Sequence, residues 1–80
     1  MRVLVTGGAG YIGSCVSQYL IDKGNKVIII DNLSTGLKKN IPKKSKFYKC
    51  NIQDKKKINK ILSKNKVDIV MHFAAYIDNA

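Results

Sequence analysis

Apolar and polar positions alternate along this chain in blocks, and the blocks change period. Residues 2–6, RVLVT, are β-branched and apolar without a helical repeat, which predicts a buried strand. From Ile12 the apolar residues fall at Ile12, Val16, Tyr19 and Leu20, with Cys15 on the same side. That spacing predicts an amphipathic helix. Lys23 in its last turn and Gly24 after it form a stop signal. Residues 26–30, KVIII, predict a second buried strand. Residues 31–44 are polar and contain Asn, Ser, Thr, Gly and Pro42, a loop with room for one short helical turn. KFYKC at 46–50 reads as a short third strand. Asp54 can cap a second helix with Ile58, Ile61 and Leu62 on one side, and Asn65 can end it. VDIVMHF at 67–73 is the fourth strand, followed by AAYIDNA.

The order β-α-β-β-α-β, with most strands apolar on both faces, implies an α/β layer around a parallel sheet. Right-handed crossovers then give the strand order 3-2-1-4 of a partial Rossmann-type, doubly wound sheet. Neither an internal repeat nor a linker interrupts the 80 residues. A sheet ending at VDIVMHF leaves an apolar strand at its edge, a template for unwanted pairing. Residues 1–80 are therefore expected to be the amino-terminal part of such a domain, truncated within a motif.

Charge adds a competing possibility. The net charge is +10, from fifteen Lys+Arg against five Asp+Glu, so nucleic acid has to be considered. Only Arg2 is arginine, the residue whose planar fork suits phosphate and base recognition. Eleven Ile and seven Asn accompany the lysines, a composition that reads as AT-rich coding drift. The expectation is therefore no nucleic-acid partner. Cys15 and Cys50 are far apart, with no CxxC pair, and are expected to be reduced, buried thiols in a cytoplasmic protein without a metal site. No apolar run approaches a membrane span, and the apolar start meets Thr-Gly-Gly too early for a signal peptide.

The candidate chemistry lies in TGGAGYIGS, between the first strand and the first helix. Gly8, Gly10 and Gly13 fit GxGxxG, while Gly7, Gly10 and Gly13 fit GxxGxxG. An early glycine lets the chain leave the strand in a conformation closed to other residues. Gly10 removes a side chain where a pyrophosphate must approach the backbone, and Gly13 permits close helix packing. The first helical N–H groups then face the phosphates, with the helix dipole behind them. Asp31 ends the second strand, eighteen residues after Gly13, where a carboxylate can accept from adenosine ribose hydroxyls. Its charge would repel a 2′-phosphate, favouring NAD over NADP, although Lys38 and Lys39 could offset this.

These residues, with DNLSTG at 31–36 and HFAA at 72–75, resemble the extended short-chain dehydrogenase/reductase family. Within it, they are most similar to the amino-terminal part of the UDP-hexose 4-epimerases. The resemblance implies that Tyr11 and Ile12 lie at the pyrophosphate of NAD. It puts Asp31, Asn32, Leu33, Ser34, Thr35 and Gly36 around the adenosine ribose and Asn51 and Ile52 by the adenine. Phe73, Ala74, Ala75, Tyr76 and Ile77 would line the cofactor beyond the fourth strand. Asn51 stands where the family usually has Asp and can still accept from the adenine amino group, though without charge. Cys15 stands where His is common.

For the full-length enzyme the resemblance implies a UDP-hexose substrate, a hydride taken from and returned to sugar C4 by bound NAD, and often a homodimer. Another nucleotide-sugar enzyme of the family, a 4,6-dehydratase or decarboxylase, remains open, as does a non-catalytic nucleotide-binding remnant. The family's catalytic Tyr-x-x-x-Lys lies beyond residue 80, so the chain alone is expected not to epimerise. Tyr19 and Lys23 match that spacing, but they are placed at the helix end far from the glycine loop and read as packing and solvated surface. His72 reads as a hydrogen-bonded structural residue, and the lysines at 55–57 as solvated surface.

Overall fold

The computed structural model describes residues 1–34 and 36–73. Its strands are β1 (Arg2–Thr6), β2 (Lys26–Asp31), β3 (Lys46–Lys49) and β4 (Ile69–His72). Its α-helices are α1 (Tyr11–Asp22) and α2 (Lys55–Asn65), and a 3-10 turn spans Lys38–Asn40. The strands form one sheet in the order β3-β2-β1-β4, and each pairing is parallel. This is the topology that the alternating pattern predicts. Register places Thr6 opposite Ile30 on one side and His72 on the other, so the ends of β2, β1 and β4 are level beside the glycine loop.

Strand alternation divides the core in two. Val3, Val5, Val27 and Ile29 point to one face, where Leu20 and Ile21 of α1 pack with Phe47 and Met71. Leu4, Ile28, Ile30 and Cys50 point to the other and meet Ile61, Ile58 and Leu62 of α2. Asp54 caps α2 as expected, its Oδ1 accepting from the Lys57 N–H at 3.2 Å. Lys66 closes that helix in the left-handed region, at φ 51°.

The buried side of α1 differs from the expected one. Ile12, Cys15 and Tyr19 are exposed, while Gly13 and Ser17 are buried, with Leu20 and Ile21 half-buried behind them. The helix begins so close to the sheet that its inner stripe has to be small. Cys15 is therefore an exposed thiol, correcting the expectation that both cysteines are buried. Cys50 is buried, and that burial pushes its thiol pKa up.

The small stripe leaves the Ser17 hydroxyl fully buried, without a hydrogen-bond partner among the described residues. An unsatisfied buried hydroxyl costs about 1 kcal/mol or more. Ser17→Ala should therefore raise the melting temperature by about 5 °C. A melting temperature unchanged or lowered in a thermal melt would contradict that assignment.

β4 is shorter than expected, since Val67 and Asp68 precede it as a connection. The Asp68 Oδ2 accepts from the Arg2 N–H at 2.8 Å. Ile69 and Val70 are 41% and 51% exposed, so the outer strand presents apolar side chains on both faces. That is the composition of an interior parallel strand.

Candidate functional site

The carboxyl ends of β1 and β2 carry the glycine loop and the loop from Asn32 to Ile41. Gly7 leaves β1 at φ 75°, a region closed to most side chains, and its N–H donates to the Ile30 carbonyl at 2.8 Å. A Cβ on Gly8 would come within 2.5 Å of the Ile29 side chain, so this glycine lets the loop lie flat on β2. A Cβ on Gly13 would overlap the Gly7 carbonyl oxygen and lie 2.9 Å from its carbon. Gly13 thus allows α1 to start directly against the loop, rather than only against the strand.

Gly10 differs from these. Its φ of −77° is ordinary, and a Cβ there would meet nothing within 4 Å except the Gly7 oxygen at 3.4 Å. Nothing inside the described chain requires glycine at this position, which leaves the space outside it as the reason. Gly10 is also the N-cap of α1 and supplies no side-chain cap, and the first turn has no acidic residue. The N–H groups at that end are consequently available to an anion. Tyr11 and Ile12 lie there with their side chains exposed.

Asp31 is 8% exposed rather than a solvated turn residue. Its Oδ2 accepts from the Ala9 N–H at 3.0 Å and its Oδ1 from the Leu33 N–H at 2.7 Å. One carboxylate thus ties the glycine loop to the start of the next loop. A carboxylate offers about four acceptor positions, so two stay available to ligand hydroxyls. Asn32 Oδ1 accepts from the Ser34 N–H at 2.9 Å, and Leu33 adopts φ 63°, which turns the chain beside Asp31. Gly36 lies against Ala9. Expected residues Thr35, Ala74, Ala75, Tyr76 and Ile77 fall outside the described residues.

Asn51 and Ile52 follow β3, on the same edge of the sheet. The Asn51 Oδ1 already accepts from the Gln53 N–H at 2.9 Å, leaving its second lone pair for another donor. Thr6 Oγ1 and His72 Nδ1 share a hydrogen bond at 2.7 Å, the structural role expected of His72. The Phe73 N–H donates to the Thr6 carbonyl at 2.9 Å and brings that residue to the same edge. Tyr19 is 60% exposed on α1, and the Lys23 ammonium lies over its ring, 5.5 Å from the centroid. The pair is a surface contact at the opposite end of the helix, as expected. Among the described residues no group of three or more His, Cys, Asp or Glu side chains could hold a metal, and no helix is long and apolar enough to cross a membrane.

Two residues of this site went unrecognised in the sequence. Ala9 is fully buried and bonded through both its N–H and its carbonyl, and Asn40 reaches that carbonyl from the 3-10 turn. An alanine and an asparagine in a lysine-rich loop carry no local signal of either role.

A parallel sheet ordered 3-2-1-4, with a glycine loop opening its first helix and a buried acid ending its second strand, defines a Rossmann-type dinucleotide-binding fold. The chain belongs to the NAD dependent epimerase/dehydratase family, whose profile matches residues 3–80. It is 51% identical over 76 residues to UDP-glucose 4-epimerase of Lactobacillus helveticus, covering 95% of this chain and 23% of that protein. A putative UDP-glucose 4-epimerase of Methanocaldococcus jannaschii is 49% identical, with 95% and 25% covered. Among solved structures, the Thermotoga maritima UDP-glucose 4-epimerase with UDP-glucose superposes with a TM-score of 0.93 at 43% identity, over 96% of this chain and 25% of that one. The Thermus thermophilus UDP-glucose 4-epimerase in complex with NAD gives 0.89 at 41% identity, over 95% and 24%. The chain thus spans about a quarter of the length of these relatives.

Proposed function

We propose that residues 1–80 form the amino-terminal part of the NAD-binding domain of a UDP-glucose/UDP-galactose 4-epimerase. The observation that carries this reading is the junction at Ala9, where the uncapped start of α1 and the buried Asp31 carboxylate meet. The residues fit the two ends of an ADP moiety: amide N–H groups at Tyr11–Gly13 for the pyrophosphate, and acceptors at Asp31 for the ribose. Asn32, Leu33, Ser34, Thr35 and Gly36 complete the ribose loop in this reading. Asn51 and Ile52 flank the adenine, and Phe73 to Ile77 continue along the cofactor.

When bound, NAD supplies the redox capacity for removing and returning a hydride at sugar C4. This chain's part is to bind and orient the cofactor. The helix end offsets phosphate charge, and Asp31 selects a free 2′-hydroxyl over a 2′-phosphate. The reading includes a UDP-hexose as substrate of the whole enzyme, a homodimeric assembly and a cytoplasmic location. It is supported by relatives named as UDP-glucose 4-epimerases and by solved neighbours holding NAD or UDP-glucose.

Fluorescence titration with NADH and NADPH tests the cofactor assignment. NADH should bind at least about tenfold more tightly, the scale of one uncompensated charge contact. Equal affinities, or a preference for NADPH, would overturn the ribose role of Asp31.

A further inference from the structure

The segment from Asn32 to Ile41 carries few apolar residues, yet it is held closely on the glycine loop. The attachment converges on one peptide unit. The Ala9 carbonyl accepts twice, from the Leu37 N–H at 3.0 Å and from Asn40 Nδ2 at 3.2 Å. Both of its lone pairs are used. Gly36 is pressed against the same unit, since a Cβ there would lie 2.7 Å from the Ala9 carbonyl carbon. Asn40 is fixed in turn by the 3-10 turn, its N–H donating to the Leu37 carbonyl at 2.9 Å.

We infer that Asn40 is a positioning residue for the dinucleotide, setting the distance between the pyrophosphate loop and the adenosine-ribose loop. The inference rests on the cofactor reading above. Pyrophosphate and ribose are joined covalently in the ligand, so one spacing of the two loops allows both to be held together. Asn40 fixes that spacing before the ligand arrives, which removes loop ordering from the cost of binding. Its side chain acts through Ala9. Asp31 holds the preceding peptide unit through the Ala9 N–H, so Ala9 is pinned to the second loop on both of its sides.

The test uses the 80-residue chain with NAD, ADP and adenosine, monitored by calorimetry and ligand-observed NMR. Asn40→Ala should weaken NAD and ADP, which span both loops, by about tenfold, the worth of one hydrogen bond that orders a site. Adenosine, which meets one loop, should bind the variant as it binds the unaltered chain. Asn40→Asp, similar in shape but without the donor, should lose at least as much as Asn40→Ala. Unchanged NAD affinity in both variants overturns the inference, as does an equal loss for all three ligands, the mark of general destabilisation. If neither variant folds, amide exchange in the unaltered chain decides: a slowly exchanging Leu37 N–H supports the clamp, and an unprotected one overturns it. If the unaltered chain binds adenosine and ADP no better than background, the cofactor reading itself fails, and this inference with it.

Discussion

Gly10→Ala should leave the chain folded and remove its affinity for NAD. A Cβ at this position makes only an ordinary contact, with the Gly7 oxygen at 3.4 Å, and has an ordinary backbone conformation to occupy. Its melting temperature should stay within about 2 °C, since alanine at a compatible position costs little. In the proposed site the same methyl group would stand where the pyrophosphate approaches the amides of α1. A displaced phosphate contact should cost about a hundredfold or more in affinity. Gly13→Ala should behave differently, because its Cβ would meet the Gly7 carbonyl and the Gly8 Cα, both backbone. No rotamer relieves that overlap, so the loop must move off the helix, at a cost of about 1–3 kcal/mol. Gly13→Ala should therefore lose both stability and NAD. Calorimetric binding with thermal melts separates the two cases. A Gly10→Ala variant that retains NAD affinity would remove the phosphate role from this loop.

Asp31→Ala should be the most destabilising single change in the site. It leaves the Ala9 and Leu33 N–H groups without the acceptor that now satisfies both. Hydrogen bonds to a charged group contribute about 1.5–3 kcal/mol each, so the expected loss is about 3 kcal/mol. For a small domain that is a large share of the total. Asp31→Asn should fall between, because its amide retains one acceptor and turns an NH2 toward the other N–H. Both variants should also bind NADP more nearly as well as NAD, since the charge that repels a 2′-phosphate has gone. Urea denaturation measures the first effect and paired NAD and NADP titrations the second. Wild-type stability in Asp31→Ala would show that the carboxylate does not tie the loops.

Much of this architecture was legible because its signals are local. β-branched runs identified the strands, and the glycines before a helical period identified the first crossover. Asp54 and Gly24 marked helix boundaries. What stayed hidden depends on distance across the fold. The α1 pattern pointed to Ile12 and Tyr19 as inner residues because large apolar side chains usually are. Here the helix approaches the sheet too closely for them, and Gly13 and Ser17 take the inner positions. The i, i+4 spacing of those two small residues directly after a glycine loop was the available signal. Asn40 gave none, because its partner is a backbone carbonyl thirty-one residues away. The spacing of Asp31 suggests a ribose ligand, the role proposed for it above, but carries no sign of its burial or of its two backbone donors.

In the proposed function the glycine loop and the Asp31 loop together hold NAD. Amide chemical-shift mapping of the 80-residue chain during an NAD titration tests it most directly. Shifts should concentrate at Gly7–Gly13 and at Asp31–Asn40, with Arg2, Lys26 and Lys46 at the opposite edge of the sheet unaffected. Shifts confined to those basic residues, or none at all in a folded chain, would contradict it.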